Sequence, residues 1–267
     1  MEKESESNDV YHDLNTDTPA ASPDNTPKIV GAIVLAGALI AGAILLRGLP
    51  GPTSGGSSEK SAGIEFREVS AADHVLGNIA AAVMIIEYSD TECPFCKAFH
   101  ATLHQVIMEE ENVAWVYRHF PIASLHRKAA HEAEATECAA EQGKFWEYID
   151  ELFRRTPSND GLAEAELPRI AGDVGMDVNV FNTCLMSGKF KEKIEADMAD
   201  GAGAGARGTP YTLLVSENKI TAAKQKEILA LVGRPEYVTF YPEKNAVSLN
   251  GALPYEMVSG IVSILLK

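Results

Sequence analysis

The chain has 267 residues, 46% of them hydrophobic, and a formal net charge of −15. That allows one large domain or two small ones with an ordinary core. No cluster of Lys and Arg interrupts the acidic balance, which excludes nucleic-acid binding through a basic surface.

In chain order, residues 1–28 hold seven Asp or Glu against Lys3 and Lys28 and almost no large apolar side chain, the composition of a disordered acidic tail. Residues 29–46, IVGAIVLAGALIAGAILL, contain no charge. As a helix they would span about 27 Å, close to the thickness of a bilayer core, so this run reads as one transmembrane helix. A cleaved signal peptide would begin with a short basic stretch instead of a long acidic one. Lys3 and Lys28 on one side balance Arg47 and Lys60 on the other, so flanking charge does not orient the span. Residues 47–63, rich in Gly, Ser and Pro, form a flexible tether reaching about 20 to 25 Å.

Beyond the tether, IEFREV (64–69) alternates like a short strand, and AAVMIIEY (81–88) reads as a buried strand. CPFC follows at 93–96. From Pro94, Phe99, Leu103, Val106 and Ile107 recur at helical spacing, and proline at a first turn forfeits no needed hydrogen bond. VAWVYRHF (113–120) is a third strand. Residues 124–200 are almost wholly helical in pattern, and Phe145, Trp146, Ile149, Leu152 and Phe153 make a stripe that reads as core, not as a ligand cage. Strand character returns at 211–215, 237–241 and 246–249, with a helix within 216–236 to which no role attaches. A final amphipathic helix starts near Pro254. This order fits an α/β domain interrupted by a helical one.

Cys93 and Cys96 stand at the strand-to-helix turn. A helix start offers free N–H groups and a positive dipole end to a thiolate, so Cys93 is the candidate nucleophile, and Cys96, one turn inside, can close on it in thiol–disulfide exchange. Zinc ribbons and metal chaperones also use such pairs, but Cys138 and Cys184 stand singly in two other predicted helices, against a four-cysteine site. His100 and His104 share a helix face without a motif such as HExxH and read as surface or packing residues. GAGAGARG (201–208) lacks the Lys-Ser/Thr ending of a phosphate loop and reads as a flexible approach to Thr209-Pro210. No cofactor or metal is expected.

With these motifs in this order (Glu87, CPFC, RHFP at 118–121, GKFWEYIDELF at 143–153 and RGTP at 207–210) the chain resembles the DsbA-like thiol–disulfide oxidoreductases. The resemblance covers about residues 64–267 and implies a thioredoxin-like fold with a helical insertion at about 122–200. It makes Cys93 the attacking cysteine, Cys96 the resolving one, Pro210 the cis-proline facing them and Thr209 its tuning neighbour. Glu87 becomes the buried acid that moves a proton to or from the resolving thiol. Phe95 stands where the best-known member has histidine and adds no cation, which leaves oxidase and isomerase or reductase readings both open. A metal-binding or folding-helper module using CPFC is the reading from another class.

Cys138 and Cys184 are expected to form a structural disulfide if their helices pack. Closing 46 residues stabilises the fold by roughly 4 kcal/mol on the chain-entropy model and points to an oxidising compartment. The expectation is therefore a single-pass membrane protein with its tail in the cytoplasm and its catalytic domain outside, forming disulfides in exported polypeptides. A membrane oxidase or a thiol carrier would renew it.

Overall fold

The computed structural model of the chain describes residues 63–267. The acidic tail, the apolar run at 29–46 and the tether up to residue 62 lie outside the described residues. Among the described residues, no helix is long and apolar enough to cross a membrane.

Six strands form one mixed sheet: β1 (His74–Gly77), β2 (Val83–Ser89), β3 (Val113–His119), β4 (Tyr211–Ser216), β5 (Val238–Tyr241) and β6 (Ala246–Asn250), in the order β1-β3-β2-β4-β6-β5. β2 and β3 run parallel, and all other neighbours are antiparallel. β2 and β3 are buried almost without a break, as strands covered on both faces must be. The alternation of side chains along β2 sorts it between two cores. Val83 and Ile85 pack with Phe99 and Leu103 of α1 (Pro94–Glu109) and with Ile261 and Leu265 of α8 (Tyr255–Leu266). Ile86 and Tyr88 pack on the other face with Val116, Tyr211 and Ala204. Each such fully buried side chain contributes about 2 kcal/mol. By the same parity Glu87 falls on the α1 face, beneath the cysteine turn.

Between β3 and β4 the chain forms α2 (Ala129–Ala140), α3 (Phe145–Arg155), α4 (Glu166–Asp173), α5 (Val178–Ser187) and α6 (Lys191–Gly203). These helices enclose a core of their own, with Tyr148, Leu152, Ile170 and Phe181 fully buried. α3 serves both cores, because Phe145, Ile149 and Phe153 turn to the sheet side while Tyr148 and Leu152 turn to the helical one. α5 shows how sequence bounds such a helix. Asp177 accepts from the N–H groups of Asn179 and Val180 at its start, and Gly188 takes the left-handed conformation (φ 61°) at its end.

Three expectations need correcting or completing. Residues 64–69 form no strand, although Ile64 is buried and Glu65 exposed in alternation. Instead Glu65 N–H donates to Gly203 O (3.1 Å) and Arg67 N–H to Asp200 Oδ1 (2.6 Å), so the segment caps the end of α6 and joins no sheet. The first strand is the shorter HVLG, too brief to show a period. The glycine-rich stretch is not a flexible approach at its start: α6 runs to Gly203, and a Cβ on Gly201 would lie 2.6 Å from the Phe120 ring, a contact only glycine permits. Finally, the helix within 216–236 is α7 (Ala222–Val232), capped by Thr221, whose buried Ile228 and Val232 pack in the core beside α8.

Candidate active site

Cys93 is the residue before α1, in extended conformation (φ −78°, ψ 121°), with Pro94 opening the helix. Its N–H donates to Asp90 O at 3.1 Å. Both cysteines are unbonded and buried, Cys96 completely. The Thr209–Pro210 peptide is cis and brings Thr209 O to 3.5 Å from Cys93 Sγ, where the thiol donates to it. Asp90 N–H donates to Cys96 Sγ at 3.4 Å. The structure thus brings Cys93, Cys96, Thr209 and Pro210 to one place from positions over a hundred residues apart.

The two thiols stand in opposite fields. Hydrogen bonding from the Cys96 thiol, opposed by burial and helped by the N–H groups of Cys96 and Phe95, brings Cys93 down to about 6. Burial, then the hydrogen bond and charge of Cys93, hold Cys96 well above the usual thiol range. At neutral pH one sulfur is an anion and the other keeps its proton, the division that thiol–disulfide exchange requires.

Glu87 is fully buried, and Trp115 Nε1–H donates to its Oε2 at 3.0 Å. Its other oxygen, Ser89 Oγ and Tyr117 OH are buried without hydrogen-bond partners. Burial, against the hydrogen bond from Trp115 and with the Cys93 charge, pushes the Glu87 carboxyl up to about 8. It therefore carries a proton at neutral pH, and where it ionises its charge raises the Cys96 thiol further.

Several functional candidates escaped sequence reasoning. Asp90 Oδ2 accepts from the Ile122 N–H (2.7 Å) and lies 2.9 Å from His126 Nδ1. Glu92, next to Cys93, accepts from Gly161 N–H, Leu162 N–H and Thr156 Oγ1, which pins the helical insertion to the cysteine turn. Glu132 takes a hydrogen bond from Thr91 Oγ1 at 2.7 Å, and burial together with Glu92 pushes its carboxyl up to about 9. The only sequence signal for this network is the run Asp90-Thr91-Glu92 before the motif, and nothing in that run names its partners.

Cys138 and Cys184 are bonded to each other, with Cα atoms 5.8 Å apart, joining α2 to α5, so these sulfurs are closed to a metal shared with Cys93 and Cys96. Among the described residues, two other groups place three metal-ligating side chains together. His100 and His104 each lie within 2.8 Å of Asp150 Oδ1, a carboxylate from α3 that supplies what the helix motif lacked. Binding a metal through His100 Nε2 would leave a proton on its buried, unpartnered Nδ1, so the set fits a metal poorly. His74 and His119 converge on Glu137 Oε1, where Lys193 Nζ also sits at 2.9 Å. That cation already fills the metal's place. Trp146 is half-buried against Trp115 and Phe145, a packing position.

Two cavities meet at Phe95 and Thr209, and one of them also borders Cys93. One, of about 460 Å³, lies between Phe95, Thr209, Val232, Arg234, Leu253 and Met257. The other, of about 640 Å³, lies between Cys93, Ile122, Leu125, His126, Asn159 and Arg207. Phe95 (65% exposed) and Leu125 (67%) stand as an apolar rim beside Cys93.

Residues 70–233 match the family model described as Thioredoxin. The chain belongs to the thioredoxin family. Among solved structures it is similar to a thioredoxin-like oxidoreductase from Silicibacter pomeroyi DSS-3 (22% identity, TM-score 0.54, covering 73% of this chain and 92% of that one). It is also similar to DsbA2 of Pseudomonas aeruginosa (22%, 0.53, 73% and 95%) and alpha-DsbA1 of Wolbachia pipientis (18%, 0.56, 74% and 92%). The fold is thus the DsbA-like variant of this family, with a mixed sheet and a helical block between β3 and β4. Among curated proteins it matches Na(+)/H(+) antiporter NhaA 3 of Salinispora tropica, 35% identical over 138 residues, 52% of this chain and 21% of that one. Antiporter NhaA 1 of Mycolicibacterium vanbaalenii is 35% identical over 147 residues, 54% and 23%. The chain spans about a fifth of the length of these curated relatives.

Proposed function

We propose that this protein is a thiol–disulfide oxidoreductase that forms disulfide bonds in exported polypeptides through Cys93 and Cys96. The observation that carries this reading is the unequal pair of thiols, Cys93 held near 6 at a helix start and Cys96 held high beneath it. In the oxidised enzyme a substrate thiolate attacks the Cys93 sulfur, the Cys93–Cys96 bond breaks, and its electron pair goes to Cys96. The Glu87 carboxyl, protonated at neutral pH, supplies the proton. A second substrate thiolate then attacks the substrate sulfur of the mixed disulfide, and Cys93 leaves as its stabilised thiolate. The substrate ends oxidised by two electrons and the enzyme reduced by two, so a membrane oxidase or thiol carrier must re-oxidise it. Thr209 O and the apolar rim of Phe95 and Leu125 give an extended substrate chain a backbone acceptor and contact area.

The location belongs to the same proposal. A bridge between Cys138 and Cys184 suits an oxidising compartment, and residues 29–46 supply an anchor, with residues 1–28 in the cytoplasm. Membrane sedimentation of the full chain in carbonate, against release of a chain lacking residues 1–46, tests the anchor. Antiport is the activity named for whole chains of which this one matches about a fifth, and it is not carried over.

Incubation with a reduced, unfolded test protein, together with the Cys93–Cys96 reduction potential in glutathione buffers, tests the oxidase reading. Stoichiometric disulfide formation and a potential well above thioredoxin's, about −270 mV, are expected. A potential near that of thioredoxin sinks the oxidase and leaves the reductase, which the uncharged, exposed Phe95 favours.

A further inference from the structure

Phe95 leaves the interior of the CPFC motif without a positive charge, yet Cys93 is held as a thiolate at neutral pH. The wall of its cleft carries a histidine. The cavity of about 640 Å³ beside Cys93 is lined by both Cys93 and His126, and the His126 side chain is only 7% exposed. Its Nδ1 lies 2.9 Å from Asp90 Oδ2, which fixes the ring and leaves Nε2 as its second donor when protonated. Asp90 is itself tied to the cysteine turn, since its carbonyl accepts from Cys93 N–H and its Oδ1 from Glu92 N–H (2.9 Å). One residue, Asp90, therefore ties the imidazole through its carboxylate and Cys93 through its backbone carbonyl.

We infer that His126, oriented by Asp90, is the charged group that stabilises the Cys93 thiolate from across the cleft. This rests on the exchange chemistry proposed above and assigns it a positioning residue outside the motif. The charge acts where Cys93 leaves: as the substrate sulfurs join, the electron pair of the mixed disulfide passes to the Cys93 sulfur, which stays unprotonated opposite the imidazolium. The groups facing His126 are Asp90 and Cys93 from the cysteine turn, Asp160 from the α3–α4 connection and Arg207 across the cavity, with Arg127 as chain neighbour. Burial disfavours the charged ring, but the Asp90 hydrogen bond and charge outweigh it and hold His126 above the ordinary histidine value.

The test uses the reduced protein and thiolate absorbance against pH. His126→Gln keeps a donor for Asp90 and removes the charge. The Cys93 midpoint is expected to rise by about one pH unit, and the exchange equilibrium with glutathione to move tenfold toward the oxidised enzyme, about 30 mV more reducing. This difference is largest between the Cys93 midpoint near 6 and the His126 midpoint, and it closes at higher pH, where the wild-type ring is neutral as well. A second measurement needs no variant. By linkage, the His126 ring followed by NMR must titrate higher in the reduced than in the oxidised wild type, by the same amount that it lowers Cys93. An unmoved Cys93 midpoint in folded His126→Gln, or identical ring titrations in the two redox states, overturns the inference. Neither measurement involves a polypeptide substrate, so failure of the oxidase assay alone would sink the proposed function and leave this assignment standing.

Discussion

The two cysteine pairs of this domain are built from the same atoms and set in different surroundings. Cys93 and Cys96 stand three positions apart at the start of α1, where the end of the sheet, a carbonyl from the Thr209–Pro210 turn and the buried Glu87 meet. Cys138 and Cys184 stand 46 positions apart in α2 and α5, among Leu152, Ile170 and Phe181. Around the first pair are groups that stabilise a thiolate on one sulfur and a proton on the other. Around the second is apolar packing, which gives a thiolate nothing. A cysteine pair becomes reactive through the unequal fields on its two sulfurs, and a pair without that inequality serves as a crosslink.

Exchanging the roles should be impossible by simple deletion, and this is where the comparison can be broken. Cys93→Ser is expected to abolish exchange and mixed-disulfide capture, whereas Cys96→Ala should trap substrate on Cys93, both read on non-reducing gels. The double variant Cys138→Ala/Cys184→Ala should leave the exchange rate within about twofold, as befits a distant site. It should lose about 4 kcal/mol of stability, lowering Tm by about 10 °C for a domain of this size. If that variant instead loses exchange while staying folded, the second pair is not a simple crosslink.

Glu87 sharpens the contrast further. Its carboxyl holds a proton up to about 8 in the fold, against 4.5 as an ordinary carboxylate. Between those values the unfolded chain binds fewer protons than the folded one, so stability falls as pH rises through that window. Glu87→Gln keeps the acceptor for Trp115 and removes this cost. It should be more stable than wild type by roughly 3 kcal/mol at pH 7, with the gap vanishing below pH 4, as read by urea unfolding at several pH values. The same variant should slow mixed-disulfide turnover on the order of tenfold, because the proton for Cys96 is gone. Equal stabilities of variant and wild type at pH 7 would show that Glu87 is ionised in the fold.

Much of this site could be read from the chain alone, and the reason is range. Strands β2, β3, β4 and β6 follow from apolar runs, α1 from Phe99, Leu103 and Val106 at helical spacing, and the placement of Cys93 from a turn between the two. These are signals within about a dozen residues. Residues 64–69 defeated the same reasoning because their alternation is real, but their hydrogen-bond partners are Gly203 and Asp200 at the end of α6, not a neighbouring strand. His100 and His104 lacked a carboxylate in sequence and found Asp150 on a helix of the insertion.

The sequence by itself determined the order of elements, the motif at a helix start and the identity of the two sulfurs, since periodicity and helix-end chemistry are local. The bond from α2 to α5 was expected from Cys138 and Cys184, while only the tertiary structure decided that Asp90 holds His126, that Glu92 and Glu132 share a buried site, and that α7 packs beside α8. Each of these depends on which distant groups are desolvated together, and no short-range pattern encodes that.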